Sequence, residues 1–442
     1  MQQSISYLHV KLLQHPELQY VMRIQAWQTD FLRFYHSQTN YNISKSSISL
    51  STTIYKGKKS YSFEIDDPHP AKTDKALALA LSIIDSLPDD PDFVDIENDQ
   101  TMAEPRKIAN NIEAIPLTLK TQILQQLADA AKPYDFEIYG TFICNYSTER
   151  LINSNGLDKI SIVSPIYLEV KAVHNKSQIT VMETYGGDDF SYFDLKDFQT
   201  RLLAKICYCG TECVDVEPGH YQVVLAPRCL AEFVQYLGYG MSARSLDQRS
   251  SFFEGKLDKL VFPANISITD DPHDPEMIRK DYGSDGHIYK TLSLIDKGVF
   301  RNFLCNNYYA HKTGQPKNGN TASCLKIATG DKTLEELIGS VKKGLYISSL
   351  HYMNFINPKE TSLTGLTRDG TFLIEDGKIT KVVKNLRFTE RIERILNNVI
   401  ALENRSFTIP FSENYQAFDI ETVRAPHALV ADFNVTSSTH TI

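Results

Sequence analysis

The sequence predicts an α+β protein of two domains: an N-terminal mixed sheet-plus-helix domain over residues 1–218 and a largely antiparallel, β-rich C-terminal domain over 219–442. Three observations carry this expectation. A chain of 442 residues exceeds what one compact core usually fills, and two units of roughly 200 residues are the natural division. Strand-like and helix-like segments alternate in the first third. From Phe262 onward, short apolar runs are instead punctuated by glycines at 283, 286, 298, 314, 319, 330, 344, 365, 370 and 377, the texture of short strands and turns. Pro218-Gly219 marks the predicted boundary between these textures.

In chain order, Tyr41 to Tyr61 is rich in β-branched and aromatic residues and predicts a hairpin turning near Lys56-Gly57-Lys58-Lys59. Thr73-Asp74 can cap a helix from Lys75 to Ser86, which Pro88-Asp89-Asp90-Pro91 ends. Apolar residues at 117, 119, 123, 124, 127 and 130 repeat with a helical period, so Leu117 to Ala131 is predicted as a helix closing at Lys132-Pro133. Phe136 to Asn145 and Ile160 to Val173 are predicted strands flanking the turn Asn153-Ser154-Asn155-Gly156, and Phe190 to Ile206 a helix. Tyr221 to Leu225 is a predicted strand, after which Pro227 opens a helix running to about Leu237. Leu386 to Leu402 is a predicted helix with Glu390, Arg391, Glu393 and Arg394 on its solvated side. Phe418 to Val423 and Leu429 to Val435 close the chain as strands.

The most patterned stretch is Thr364-Gly365-Leu366-Thr367-Arg368-Asp369-Gly370-Thr371-Phe372-Leu373-Ile374-Glu375-Asp376-Gly377-Lys378-Ile379. Asp376-Gly377 lies between two apolar β-branched runs and signals a tight hairpin, because primed turns need positive φ. Asp369-Gly370 repeats the dipeptide seven residues earlier and is expected to form a second turn.

Bulk properties exclude several functions. Apolar residues at 42% and charged residues at 23% are ordinary for a globular protein. The net charge of −8, from 46 basic against 54 acidic residues, provides no basic field for a phosphate backbone, so no nucleic-acid partner is expected. The longest apolar candidate, Ala76 to Ile84, falls well short of the ~18 residues of a membrane span. The residues Met1-Gln2-Gln3-Ser4 have none of the regions of a signal peptide, and seven cysteines are an odd number for a disulfide framework. Together they predict a cytoplasmic protein with reduced thiols. Walker A, Gly-x-Gly-x-x-Gly and Gly-x-Ser-x-Gly motifs do not occur.

Asn357-Pro358 and the 364–379 stretch together resemble the C-terminal signature of the TldD/PmbA family of metallopeptidase-related proteins, which is also associated with modulation of DNA gyrase. An ordered set of further segments extends the resemblance: Asp270-Asp271-Pro272, Asp281-Tyr282-Gly283-Ser284-Asp285-Gly286, Leu294-Ile295-Asp296-Lys297-Gly298-Val299, Gly319-Asn320 and Leu334-Glu335-Glu336-Leu337-Ile338. The N-terminal half supports it through Phe34 to Tyr41 and Asn153 to Gly156. TldD-like members carry His-Glu-x-x-x-His on a helix and a later Cys, a donor set suited to Zn²⁺ with the Glu as base on bound water. The corresponding helix here, Arg228-Cys229-Leu230-Ala231-Glu232-Phe233-Val234-Gln235-Tyr236-Leu237, has no His.

The resemblance therefore implies the PmbA-like (TldE) branch: a non-metal subunit acting on peptides or unfolded segments beside a TldD-like partner. Zinc is expected only in that partner, and this chain is expected to have no metal and no catalytic residue of its own. A homodimeric peptide-binding module and a stand-alone hydrolase are the alternatives. Thr367, Arg368 and Asp369 are the predicted substrate-groove residues, with Gly365, Gly370 and Gly377 as structural glycines. Arg368 and Asp369 could bind a peptide terminus or pair with each other. Cys207, Cys209 and Cys213 are expected to be ordinary thiols, and Asp270, Asp271, His273, Asp274 and Glu276 a solvated loop. Ser242, Ser245, Ser250 and Ser251 provide hydroxyls with no base at a fixed spacing.

Overall fold

Long strands with alternating inward and outward residues build the N-terminal half. In the computed structural model, which describes residues 2–209, 213–412 and 420–438, these are β1 (Gln19–Tyr35), β2 (Gln38–Lys56), β3 (Lys59–Asp66), β4 (Phe136–Asn153), β5 (Asp158–Val163), β6 (Ile166–His174) and β7 (Thr180–Gly187). They form one antiparallel sheet in the order β3-β2-β1-β4-β6-β7, and β4 is long enough to pair with β6 at its start and β5 at its end. Helices α1 (Gln2–Leu12) and α2 (Pro70–Ile84) bury Ile5, Leu8, Leu77 and Ile84 against Met22, Ile24 and Ile54 of this sheet. Short α3 (Asn111–Ala114) precedes α4 (Leu117–Ala131), and α5 (Leu195–Tyr208) follows β7.

The second half is β8 (Cys213–Val214), β9 (Gly219–Leu225), α6 (Pro227–Gly240), α7 (Ala243–Asp247), β10 (Ile268–Asp270), β11 (Leu292–Asp296), β12 (Val299–Phe300), α8 (Asn307–Thr313), β13 (Leu325–Ile327) and α9 (Leu334–Gly339). It continues with β14 (Lys343–Asn357), β15 (Ser362–Glu375), β16 (Lys378–Val383), β17 (Leu386–Arg391), α10 (Ile392–Asn397), β18 (Val399–Leu402), β19 (Phe407–Ser412), β20 (Ile420–Ala425) and β21 (Ala428–Ser438). β14, β9, β21, β17 and β15 pair in a closed ring, since β14 also pairs with β15, which leaves these strands few free edges. A second sheet runs β12-β11-β10-β13-β20-β19. The buried face of α6 (Cys229, Leu230, Phe233, Val234, Leu237) enters the core of this half. Another apolar cluster joins Phe142 and Val170 of the first sheet to Val224, Phe372 and Ile374 of the ring, so the two halves share packed surface.

Helix α4 and the Lys56–Lys59 hairpin form as predicted. Several expectations change. The strand predicted over Ile160 to Val173 is two, β5 and β6, broken at Ser164-Pro165, and the helix predicted from Phe190 starts at Leu195 with Asp194 as its N-cap. α2 starts at Pro70 with His69 as N-cap, because proline fits the first helical position; Thr73 lies inside the helix and is buried. Residues 386–402 form strand, short helix and strand instead of one helix, because Leu386, Phe388 and Glu390 alternate into the core. Asp369-Gly370 does not turn the chain, for β15 runs unbroken through it. These two residues oppose Ser348 alone, with φ of 52° and 113°, and make a bulge. Asp270 and Asp274 are not solvated. Asp270 accepts hydrogen bonds from the Cys324 amide and Asn320 (both 2.9 Å), and Asp274 pairs with Lys326 (2.6 Å) and Arg424 (2.9 Å). Buried carboxylates persist where such partners satisfy them. Of the strand predicted over 418–423, Phe418 and Asp419 lie outside the described residues; β20 takes up the rest.

Candidate functional site

The bulge in β15, the start of α6 and one face of β6 converge. Period-two alternation on β6 sends Leu168 and Val170 into the apolar core and Tyr167, Glu169 and Lys171 to the opposite face. Lys171 Nζ reaches Asp369 Oδ1 at 2.9 Å, and the Thr180 hydroxyl donates to the same oxygen at 2.8 Å. The Tyr167 hydroxyl donates to Glu169 Oε2 at 2.8 Å. On α6, Arg228 Nε lies 3.5 Å from Glu232 Oε1, and its guanidinium lies over the Phe411 ring, 5.5 Å from the centroid. Burial pushes the Glu232 carboxyl up to about 7 although the Arg228 charge pulls it down. Burial, and then the positive charge of Arg368, hold His351 below the usual histidine range. The cluster brings charges of both signs from the N-terminal sheet together with those of α6 and β15.

The predicted groove residues divide by environment. Thr367 is fully buried, and its hydroxyl oxygen accepts from the Thr371 hydroxyl (2.8 Å) and the Leu386 amide (2.9 Å), so it fixes strand geometry. Asp369 is buried and pairs with Lys171, not with Arg368. The Arg368 carbonyl accepts from Ser349, whereas its half-buried guanidinium has no ion-pair partner among the described residues. Gly377 and Asp376 (φ 74° and 46°) make the hairpin turn to β16. A Cβ on Gly365 would meet the Phe388 ring at 2.7 Å, so close packing excludes a side chain there.

The serines and most of the cysteines have structural surroundings, while Cys207 is exposed. Ser242 accepts from the Ser245 amide (3.1 Å) as the cap of α7. The seven cysteines are free, and burial pushes Cys209 up to about 12, where little thiolate forms. Cys229 is a buried thiol beside the Ile347 carbonyl (3.2 Å). Sequence reasoning did not find Arg228, Glu232, Tyr167, Glu169, Lys171 or His351 as a group. The one available signal was the run of polar residues at 167, 169 and 171 within an otherwise apolar strand.

Comparison with known proteins agrees with this architecture. Residues 218–437 match the model for the PmbA/TldA metallopeptidase C-terminal domain, and this half of the chain belongs to the PmbA/TldD family. A metalloprotease of Methanothermobacter thermautotrophicus is 24% identical over 193 residues, 41% of this chain and 42% of that protein. A zinc metalloprotease TldD homolog of Saccharolobus solfataricus is 24% identical over 285 residues, 60% of this chain and 61% of that protein. The chain thus matches less than two thirds of the length of these relatives. Among solved structures, TldE from Thermococcus kodakarensis superposes with a TM-score of 0.84 at 18% identity, covering 95% of this chain and 97% of that one. A Thermotoga maritima protein, whose name links it to DNA gyrase modulation, gives 0.85 at 16% identity over 98% and 100%. Both share the fold.

The name of the family domain implies a metal, and the residues of α6 do not fit one. Its polar side chains at the site are a guanidinium and one carboxylate of raised pKa, and the nearby strand contributes the ammonium of Lys171. A divalent cation needs several deprotonated donors and is repelled by these charges. Among the described residues, no group of three or more His, Cys, Asp or Glu side chains is arranged to hold an ion. No helix among them is long and apolar enough to cross a membrane.

Proposed function

We propose that this chain is the PmbA/TldE-like, non-metal subunit of a TldD/PmbA-type metallopeptidase complex, acting on peptides or unfolded polypeptide segments while a TldD-like partner holds zinc. The observation that carries this reading is α6, which pairs Arg228 with Glu232 and has no histidine along its length. The chain's own residues then bind and orient substrate. Arg368 stays in the ladder opposite Ser349, next to the Asp369-Gly370 bulge, and its half-buried guanidinium is the group we assign to donate to the carbonyls of an extended peptide. Lys171 and Thr180 hold Asp369, and through it the bulge, in place. Tyr239, Tyr352 and Ile356, all more than half exposed, supply apolar surface on the C-terminal half for association.

Co-expression with a chain bearing His-Glu-x-x-x-His tests the proposal. The expected result is a copurifying complex whose zinc is lost when the partner's histidines are changed. About one zinc per chain in this protein purified alone, retained after dialysis, would overturn it.

A further inference from the structure

We propose that the start of α6 holds a single carboxylate, the C-terminal carboxylate of a peptide, in the cavity it shares with Ser348. This inference deepens the peptide-handling reading above and rests on it. The cavity, about 360 Å³, lies between α5, the first turn of α6 and β14. Its size is that of a small-molecule site, and half-exposed Arg405 stands at its rim, open to solvent.

Three features aim donors at this space. The N-cap of α6 is Ala226, which has no side chain to accept a hydrogen bond, and Pro227 follows it. The Cys229 and Leu230 amides are taken by the Ala226 carbonyl, whereas the Arg228 amide has no backbone acceptor among the described residues. A 14-residue helix thus presents an uncapped positive end. Independently, the Ser348 hydroxyl lines the cavity, is 3% exposed and has no hydrogen-bond partner among the described residues. Arg228 adds two buried nitrogens, Nε and Nη1, without hydrogen bonds among the described residues. Native proteins leave few buried polar groups unmet, and donors gathered without an acceptor call for an anion.

The charges of the wall limit that anion to one negative charge. Glu183 is neutralised by Arg201 and by Lys205 at 2.9 Å. Glu403 is held by His427 at 2.6 Å, whose other ring nitrogen lies 3.2 Å from the Tyr346 hydroxyl. Arg228 alone retains only a distant partner, Glu232 at 3.5 Å. A phosphate dianion would face the carboxylates of Glu183, Glu335 and Glu403, whereas a carboxylate matches the Ser348 hydroxyl and Arg228, the one lining guanidinium without a close ion-pair partner among the described residues.

Calorimetric titration with acetyl-tetra-alanine as the free acid and as its C-terminal amide tests the site, on the parent chain and on folded Ser348→Ala and Arg228→Gln variants. The expected result is that the parent binds the acid about tenfold or more tightly than the amide. That ratio should fall toward one in Ser348→Ala, a change small enough to keep the fold should Arg228→Gln fail to. Equal binding of acid and amide to the parent would overturn the carboxylate site while leaving peptide binding intact. Binding of neither peptide would overturn the peptide reading and this inference with it. An unchanged ratio in folded Ser348→Ala would refute the placement, and tighter competition by inorganic phosphate than by acetate would refute the choice of anion.

Discussion

Replacing Gly370 by valine probes the β15 bulge at its tightest point. Gly370 has φ near 113°, and a Cβ there would lie 2.9 Å from Ser348 Oγ and 3.0 Å from the Phe372 ring. Both neighbours are buried, and although the Ser348 hydroxyl borders the cavity at the start of α6, the fully buried Phe372 ring on the other side is packed into the core. Backbone strain of about 1–3 kcal/mol and overpacking of about 1–3 kcal/mol add to an expected loss of about 3 kcal/mol. Arg368→Ala, one turn of the pleat away, removes a half-buried side chain with no ion-pair partner among the described residues. It should cost no more than about 1 kcal/mol while weakening peptide processing by the assembled complex. Urea unfolding followed by circular dichroism, and by the fluorescence of the single tryptophan, Trp27, measures both. A Gly370→Val protein within about 0.5 kcal/mol of the parent would refute the bulge assignment. An Arg368→Ala protein that melts well below the parent, with activity per folded molecule unchanged, would make Arg368 structural.

Two further perturbations test the buried charges. The Glu232 carboxyl has a folded pKa of about 7, above its ordinary 4.5. Its contribution is therefore full below pH 4.5 and is lost as pH rises through 7. Relative to Glu232→Gln, the parent should lose on the order of 2 kcal/mol of stability between about pH 5 and about pH 8, and parallel pH profiles of the two proteins would exclude this. Lys120 is fully buried, with Nζ 2.5 Å from Asp30 Oδ2, so Lys120→Met removes that carboxylate's ion-pair partner and leaves it the hydrogen bond from the Ser44 hydroxyl. A loss of about 3–5 kcal/mol is expected, largely recovered in Asp30→Leu/Lys120→Met, and a single variant as stable as the parent would contradict it.

Local signals in the sequence were read well where one interaction dominates. Helix α4 follows from its apolar period, and the β15–β16 hairpin from Asp376-Gly377. The dipeptide Asp369-Gly370 has the same positive-φ preference but serves as a bulge, because two residues opposite Ser348 satisfy that preference without reversing the chain. At 386–402 the alternation of Leu386, Phe388 and Glu390 was visible, yet the charged residues at 390–394 suggested a helical face instead. The site was legible only in part. Arg368 and Asp369 stand out through their motif, while Lys171, Arg228 and the Glu403–His427 pair meet across large sequence separations that no spacing rule encodes. The acidic run from Asp270 to Glu276 looked solvated because its partners, Lys326 and Arg424, lie on strands far along the chain.

The central claim, that this chain handles peptide without metal of its own, is tested most directly by peptide hydrolysis measured for three samples: this chain alone, a zinc-bearing TldD-like chain alone, and their mixture. The account predicts no hydrolysis by this chain alone and a rate in the mixture at least several-fold above that of the zinc-bearing chain. Hydrolysis by this chain alone after exhaustive chelation, at a rate the mixture does not exceed, would contradict it.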